Sequence, residues 1–334
     1  MNGNTRVPSI DTFRAIGLLL VILAHCGPPR TILEIRSFDV PLMVFVSALT
    51  FSGNTNKSYV NYCINRTFRL VIPAWLFASF YLLWLFGLNK VTGSTVYFSS
   101  SMILPTYMLW NDGGIGYLWI IRVFLLVMLL TPLLYKIVVR INNRYLFVVL
   151  IGVLMLCHNL FATWVMALNK TTIRFILEEY VIYLTGFSII MLVGLKIKQC
   201  TQKDRLYYLI IAIFVILLSL TYYVCENGVP IFISRYKYPP HSYYILYGIS
   251  ICSILWLFRN NFKKYSNNKI MLFIGQNTMW IYLWHIFVLP LIVHLHLQWY
   301  LTYIGVIVSS LIIYYAQLYI IRYLPNGIKK YLKG

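Results

Sequence analysis

Charged side chains are scarce in this sequence, and acidic ones are the scarcest. Charged residues make up 11% of the 334 residues, whereas soluble domains usually carry about 25%. Only 8 residues are acidic, against 28 that are basic, and 60% of the chain is hydrophobic. This composition excludes an ordinary soluble globular protein.

Paired cysteines, linkers and repeats are also lacking. The sequence has no Cys-x-x-Cys pair, so we expect no metal or redox site built on cysteine and interpret the thiols as small apolar packing groups. No Gly/Ser-rich linker, soluble domain or internal repeat is visible, which predicts one membrane domain over residues 1–334. The six cysteines are Cys26, Cys63, Cys157, Cys200, Cys225 and Cys252.

Long apolar runs recur along the whole chain instead. Runs of roughly 20 apolar residues are typical of membrane-spanning helices, so the sequence predicts an all-α polytopic membrane protein with about ten spans. We interpret the first run as a retained helix and not a signal peptide. The runs lie at 10–26, 38–53, 69–88, 115–137, 145–164, 175–195, 206–225, 242–258, 271–295 and 301–321.

The basic residues are distributed unevenly between the two sides of this predicted topology. With the N-terminus in the cytoplasm, 20 of the 28 lysines and arginines fall on the inside and 8 on the outside. Because cytoplasmic loops are enriched in Lys and Arg, both termini are predicted to be cytoplasmic. The net charge of +20 then reflects topology and attraction to anionic lipid headgroups, and it predicts no nucleic-acid partner. The eight outer residues are Arg30, Arg36, Lys90, Arg122, Lys170, Arg174, Arg235 and Lys237.

The first apolar run contains two ionisable residues in "DTFRAIGLLLVILAH" (residues 11–25). Arg14 and His25 are eleven residues apart, about three helical turns, so they share one helix face roughly 16 Å apart along the axis. Ionisable residues within a span usually face a cavity or a partner, which favours a polar path across much of the membrane. The alternative is that Arg14 reaches back to the inner interface and His25 caps the helix.

Asp39 opens the second run, across a short loop from His25. A carboxylate near an imidazole fixes its tautomer and raises its basicity, as a general base requires. Alternatively, Asp39 is a residue of the first helical turn that stabilises the helix N-terminus.

Arg66 and Arg69 are spaced i and i+3, so they are neighbours on a helix at the predicted inner surface. Two guanidinium groups there suit the phosphates of a cytosolic ligand.

Further polar residues lie near the predicted outer side. Arg122 follows Trp119 about one turn inside the fourth run. The loop "RYKYPPHSYY" (235–244) contains Tyr238 in a dense set of tyrosines, which suit sugar faces but are equally the ordinary residues of a membrane interface. His285 lies in the ninth run, where a satisfied core histidine is the alternative to a site residue.

Five stretches in this order resemble acyltransferase family 3, the integral-membrane O-acyltransferases. The Arg14–His25 spacing resembles the family's first-helix pattern, and the late tyrosine–leucine–x–histidine motif includes His285. Two residues depart from the family's pattern in the stretch "FDVPLMVFVSAL". Ala48 follows the serine where the family commonly has glycine, and Asp39 stands where many members have histidine. The other four stretches are "FDVPLMVFVSAL", "RTFRLVIPAW", "YLWIIRVFLLVMLLTPLL" and "GQNTMWIYLWH".

The resemblance implies transfer of an acyl group, usually acetyl from acetyl-CoA, to a sugar hydroxyl of a cell-surface or lipid-linked polysaccharide at the bacterial plasma membrane. His25 would be the general base with Asp39 as its orienter, and Arg14 would line the donor path. Arg66 and Arg69 would bind the CoA phosphates, and Arg122 would stabilise the oxyanion. Substrate contacts are expected at Arg122, Trp119, Tyr238 and His285, and no metal is expected.

A transporter or flippase for a lipid-linked glycan is the alternative function. Such a fold typically has broken helices in two repeated halves, and no such repeat is visible in this sequence. The sequence leaves open direct transfer versus an acyl-enzyme, and the oligomeric state.

Overall fold

The computed structural model describes residues 8–53, 58–227, 232–262 and 268–325, together with 329, 332 and 333. Within these ranges the regular elements are all helical, as predicted. Apolar runs separated by short polar turns produce this pattern, because a helix satisfies its own backbone hydrogen bonds in an apolar medium.

Fourteen α-helices are described. The first seven are α1 (Pro8–His25), α2 (Arg30–Ile35), α3 (Asp39–Thr50), α4 (Tyr59–Thr92), α5 (Ile103–Tyr107), α6 (Trp119–Arg140) and α7 (Arg144–Ala167). The other seven are α8 (Thr172–Ile176), α9 (Tyr183–Gln199), α10 (Gln202–Asn227), α11 (Ser242–Leu257), α12 (Lys269–Gln276), α13 (Thr278–Val293) and α14 (Trp299–Ile321). A π-helical turn, Leu177–Ile182, joins α8 to α9.

Each of the ten predicted runs is occupied by helix, but fewer helices qualify as membrane spans. Among the described residues, six are long and apolar enough, or seven if α12 and α13 form one broken span. The 12-residue α3 is about 18 Å long, well short of the roughly 30 Å apolar core of a bilayer. The structure therefore confirms a multi-pass helical membrane protein, while the count of ten and the orientation of the termini stay predictions.

The described helices form two compact units. The first contains α1 as far as Ala24, α2, α3, the part of α6 from Leu130, and α7 to α12. The second contains His25–Gly27, α4, α5, α6 as far as Leu129, α13 and α14. The expectation of a single domain stays a prediction.

The core of the first unit is centred on the contact of α3 with α9. Ala48 is fully buried, and a Cβ atom placed on Gly194 would lie 2.7 Å from the Cβ of Ala48. The helices can approach this closely only because α9 has no side chain at that point. Gly194 therefore provides the small residue that this close contact requires. For this reason α3 can carry Ala48 where the family commonly has glycine.

Aromatic side chains from α4 and α13 pack the second unit. The ring of Trp284 contacts Phe77 and Phe80 edge-on, with centroids 6.1 and 5.6 Å away. Its indole Nε1 donates a hydrogen bond to Gln317 Oε1 on α14 at 2.5 Å. These contacts hold α13 in place, and α13 is the helix that contains His285.

Several of the predicted cytoplasmic cations bind carbonyl oxygens at the C-terminal ends of helices in the first unit. Lys198 Nζ donates to Phe51 O, the residue after α3, at 2.6 Å. Lys196 Nζ donates to Ile141 O after α6 at 2.5 Å, and Arg205 Nε to Ile197 O in α9 at 3.0 Å. Cations stabilise helix C-termini by binding carbonyls that lack an intrahelical partner. Other members of this basic set, Arg6, Lys57, Lys263, Lys264 and Lys330, lie outside the described residues.

Candidate active site

His25 is the last residue of α1, and in the second unit its imidazole packs against two other rings. The Tyr117 ring meets it edge-on, with centroids 4.6 Å apart at 81°. The His285 ring stacks on it, with centroids 5.7 Å apart at 24°. The structure thus brings together His25 and His285, two residues that the sequence places 260 positions apart.

The orientation of His285 is fixed from its own helix. His285 is fully buried in α13, and its Nδ1 bonds to the carbonyl oxygen of Tyr282, one turn earlier. A carbonyl can only accept, so Nδ1 is assigned the proton and Nε2 carries the lone pair. No hydrogen-bond partner for Nε2 is found among the described residues. In its neutral form the imidazole therefore carries its lone pair on Nε2, in a ring that stacks on that of His25.

A second tyrosine connects α13 to the loop that precedes α6. The Tyr282 hydroxyl donates a hydrogen bond to the carbonyl oxygen of Tyr117. This bond holds the backbone that presents the Tyr117 ring to His25. Sequence reasoning did not identify Tyr117 or Tyr282 as site residues, although both lie in stretches that resemble the family, "YLWIIR" and "WIYLWH".

Arg122 and Trp119 lie in the first turn of α6 within the same unit. Both are buried, with 2% and 5% of their surface exposed. A guanidinium sealed in an apolar helix bundle is uncommon and marks a functional position by default. Arg122 therefore remains a candidate for stabilising negative charge in a reaction, as predicted.

Arg14 lies in the first unit, on the continuous helix α1. Its Nη1 donates to Asp11 Oδ1 at 3.0 Å, one turn earlier. Asp11 is almost fully buried, and Arg14 keeps about 29% of its side chain exposed. The Arg14 side chain is thus held by a buried carboxylate and stays partly accessible, as a residue that lines a polar path must be.

Asp39 is the centre of a buried ion cluster in the first unit. Lys237 Nζ lies 3.1 Å from its Oδ1 and 3.3 Å from its Oδ2, and Arg36 Nη1 donates to Oδ2. The cluster joins the start of α3 to the loop after α10, 198 residues away in the chain. Its prediction as the orienter of His25 is not tested by these contacts, which give Asp39 a role that the sequence did not reveal.

Arg66 and Arg69 lie on the surface of α4 in the second unit. The Arg66 guanidinium lies 5.3 Å from the ring centroid of Tyr62, and Arg69 is exposed. Because they are one turn apart on a continuous helix, they can bind one polyanionic ligand together.

Tyr238 is exposed although the residues on either side of it, Lys237 and Pro239, are buried. It is 48% exposed, whereas the adjacent Lys237 is 4% exposed. The Lys237 Nζ lies 5.4 Å from the centroid of the Tyr238 ring, which fixes the lysine beneath the aromatic face. An exposed tyrosine on a tightly held backbone is suited to stacking on a sugar.

His158 is a further histidine that sequence reasoning missed. It is buried in α7, with Nε2 2.7 Å from Pro240 O and Nδ1 2.9 Å from Thr185 Oγ1. It thus fastens the loop that contains Tyr238 to α7. Both nitrogens are satisfied, so we assign His158 a structural role.

Comparison with protein-family models matches one family, described as an acyltransferase domain, over residues 7–321. No curated protein and no solved structure matches the chain. The match covers essentially the whole sequence, including α1, α13 and the histidine pair between them. The chain is therefore a multi-pass membrane acyltransferase that belongs to acyltransferase family 3.

Proposed function

We propose that this protein transfers an acetyl or similar short acyl group from cytosolic acetyl-CoA to a sugar hydroxyl. The acceptor is a cell-surface or lipid-linked polysaccharide, and the protein works in the bacterial plasma membrane. The observation that carries this proposal is the packing of His25 against Tyr117 and His285. A histidine at the end of an apolar helix, held between two rings and still partly exposed, can be reached by a substrate and is suited to proton transfer.

His25 acts as the general base in this proposal. It takes the proton of the sugar hydroxyl while the oxygen attacks the thioester carbonyl carbon and forms a C–O bond. The C–S bond then breaks, and the CoA thiolate leaves with the proton that the imidazolium returns. Arg122 stabilises the oxyanion of the tetrahedral intermediate, because a preorganised buried cation interacts strongly with charge that develops in the transition state.

The donor is bound through its phosphates. CoA carries several phosphate charges, and Arg66 with Arg69 forms a pair of guanidinium groups suited to bind them. Arg14 lines the path of the acyl-pantetheine arm, and its partial exposure beside Asp11 is consistent with that role.

The residues proposed to contact the acceptor are Trp119, Arg122 and His285 in the second unit and Tyr238 in the first. The exposed face of Tyr238 would stack on a sugar ring, and the lone pair on His285 Nε2 would accept a hydrogen bond from a sugar hydroxyl. The role of Asp39 as orienter of His25 is retained as a hypothesis. Because Asp39 also pairs with Arg36 and Lys237, Asp39→Asn is measured for both acyl transfer and thermal stability, and a loss of transfer at wild-type stability supports the role.

The experiment measures the two products of the reaction separately. Purified protein in detergent, incubated with acetyl-CoA alone, should release CoA slowly, and the release should depend on His25. Cells with and without the protein should differ in the acetyl ester content of their surface polysaccharide. A transporter or flippase would change the amount of exported glycan without changing its ester content, and it would release no CoA. That result would overturn the proposal.

A further inference from the structure

A second polar site lies in the first unit, where α3 and α11 begin. Tyr247 on α11 donates its hydroxyl hydrogen to Ile35 O at 2.7 Å, and a Cβ on Gly248 would lie 2.5 Å from the Cβ of Pro41. The first turns of α11 therefore lie against residues 35–41. This packing places Tyr244, one turn before Gly248, beside the ion cluster formed by Arg36, Asp39 and Lys237.

The cluster has more positive than negative charge. Arg36 and Lys237 share a single carboxylate, that of Asp39, and all three side chains are buried. The nearby Glu34 carboxylate accepts from the Ser234 backbone N–H at 3.0 Å and from its hydroxyl at 2.5 Å. Burial of surplus charge is unfavourable unless a counter-charge arrives.

Two buried donors of this region are left without hydrogen bonds. Arg36 is 8% exposed and Tyr244 is fully buried. Among the described residues, Arg36 Nε and the Tyr244 hydroxyl have no hydrogen-bond partner. Tyr244 lies on the face of α11 on which Gly248 packs against Pro41, two residues after Asp39. Because an unsatisfied buried donor is costly, two of them beside surplus positive charge indicate a missing acceptor that is negatively charged.

The two segments that carry this cluster also have a net positive charge. Residues 30–39 and 232–241 contain four cationic side chains, Arg30, Arg36, Arg235 and Lys237, and two acidic ones, Glu34 and Asp39. Arg30 lies 3.4 Å above the ring of Phe232, so the two segments are held together by this contact as well as by Glu34 and Ser234. An anion approaching this loop would meet a positive potential.

We infer that Arg36, Lys237 and Tyr244 form a binding site for an oxyanion, a carboxylate or a phosphate, carried by the acceptor glycan. The inference rests on the proposed function only for the identity of the carrier. Arg36 Nε and the Tyr244 hydroxyl donate to the anion, and Lys237 balances its charge. Tyr238, which lies next to Lys237 in the loop, then stacks on the sugar to which the anion is attached. The acceptor is thereby an acidic glycan or one linked through phosphate.

The test measures binding without the acyl donor, so that it does not depend on the proposed reaction. Purified protein in a nonionic detergent is unfolded thermally in the presence of sodium glucuronate, sodium phosphate, glucose or sodium chloride. Binding to the folded state raises the unfolding temperature with ligand concentration. We expect glucuronate or phosphate to raise it and glucose and chloride to leave it unchanged. Protection by glucuronate identifies an acidic sugar as the carrier, and protection by phosphate identifies a phosphate group.

Tyr244→Phe removes only the unsatisfied hydroxyl, so the variant should fold with equal or higher stability when no anion is present. Its affinity for the protecting anion should be about tenfold weaker or more, the effect of losing a hydrogen bond to a charged group. Arg36→Lys keeps the charge, removes the Nε donor and should weaken binding likewise. Trp256→Phe is the matched control, because Trp256 Nε1 is another buried donor without a partner among the described residues, about 18 Å further along α11.

Equal anion affinity in the wild type, Tyr244→Phe and Arg36→Lys would overturn the inference, as would the absence of protection by either anion. Loss of acetyl transfer with intact anion binding would instead overturn the proposed function and leave this site standing. In an active preparation, Tyr244→Phe should raise KM for the acceptor and leave KM for acetyl-CoA unchanged.

Discussion

The imidazole rings of His25 and His285 stack with their centroids 5.7 Å apart. One histidine ends the first helix of the chain, and the other lies in the middle of α13, where its Nδ1 is bonded to the carbonyl oxygen of Tyr282. The tautomer of His285 is therefore set by local geometry, whereas His25 is positioned by the rings around it. A substitution of His25 therefore tests a side chain whose position depends on its neighbours in the tertiary structure.

His25→Gln should abolish detectable acyl transfer, because loss of a general base typically costs about 10²–10⁴-fold in rate. Glutamine keeps the size and hydrogen bonding of histidine, so a purely structural His25 would tolerate it. The measurement is acetyl ester content on the glycan, normalised to membrane protein level. Wild-type ester content in His25→Gln would show that His25 only caps the helix.

Tyr282→Phe should lower kcat several-fold while leaving KM for acetyl-CoA unchanged. The variant removes the hydroxyl that holds the Tyr117 carbonyl, a hydrogen bond worth about 1 kcal/mol, and so loosens the wall of the His25 site. Tyr314→Phe is the control, since that hydroxyl bonds to Asn277 Oδ1 at 2.8 Å. The control should lower thermal stability and spare kcat; equal kcat losses in both variants would indicate a general structural effect.

Arg69→Ala should raise the KM for acetyl-CoA about tenfold or more at unchanged fold, because one charged hydrogen bond to phosphate is lost. Arg322→Ala, which removes another exposed arginine of the predicted cytoplasmic set, should leave KM unchanged. The KM for acetyl-CoA distinguishes the two variants, and an unaltered value in Arg69→Ala would remove this pair from the donor site.

Gly194→Ala should destabilise the protein by about 1–3 kcal/mol, because the new methyl group overlaps Ala48. Gly152→Ala in α7 is the control, since a Cβ there meets nothing within 4 Å, and it should be neutral or slightly stabilising. The double variant Ala48→Gly/Gly194→Ala should be less destabilised than the sum of the two single variants, as thermal unfolding in detergent would reveal. Independent, additive effects would mean that the two residues are not in contact.

Reporter fusions after Arg144 and after Lys264 should both report a cytoplasmic location, since both positions follow basic clusters of the predicted inner set. A fusion after Lys170 should report export. Lys264 lies outside the described residues, so this prediction depends on the charge distribution alone. An exported signal at either cytoplasmic position would contradict the ten-span topology.

Much of the fold could be predicted from the sequence because it depends on local patterns. Runs of apolar residues specify helices in an apolar medium, and every predicted run contains helix. The number of true spans could not be read in this way, because α3 and α11, with 12 and 16 residues, are apolar yet short. Most of their apolar side chains are buried against other helices of the protein, so an apolar sequence there does not require a full membrane span.

The residues of the candidate site could likewise be recognised from the sequence only in part. The sequence alone identified the membrane class, the family resemblance, and His25, Arg14 and Arg122 as ionisable residues in apolar runs, since their cost within a membrane is visible without coordinates. Only the tertiary structure decided which side chains meet: His25 with His285 across 260 positions, and Asp39 with Lys237 across 198. Such pairings depend on how closely helices pack, as at Gly194 and Ala48, and helix packing is a property of whole surfaces that no single stretch of sequence contains.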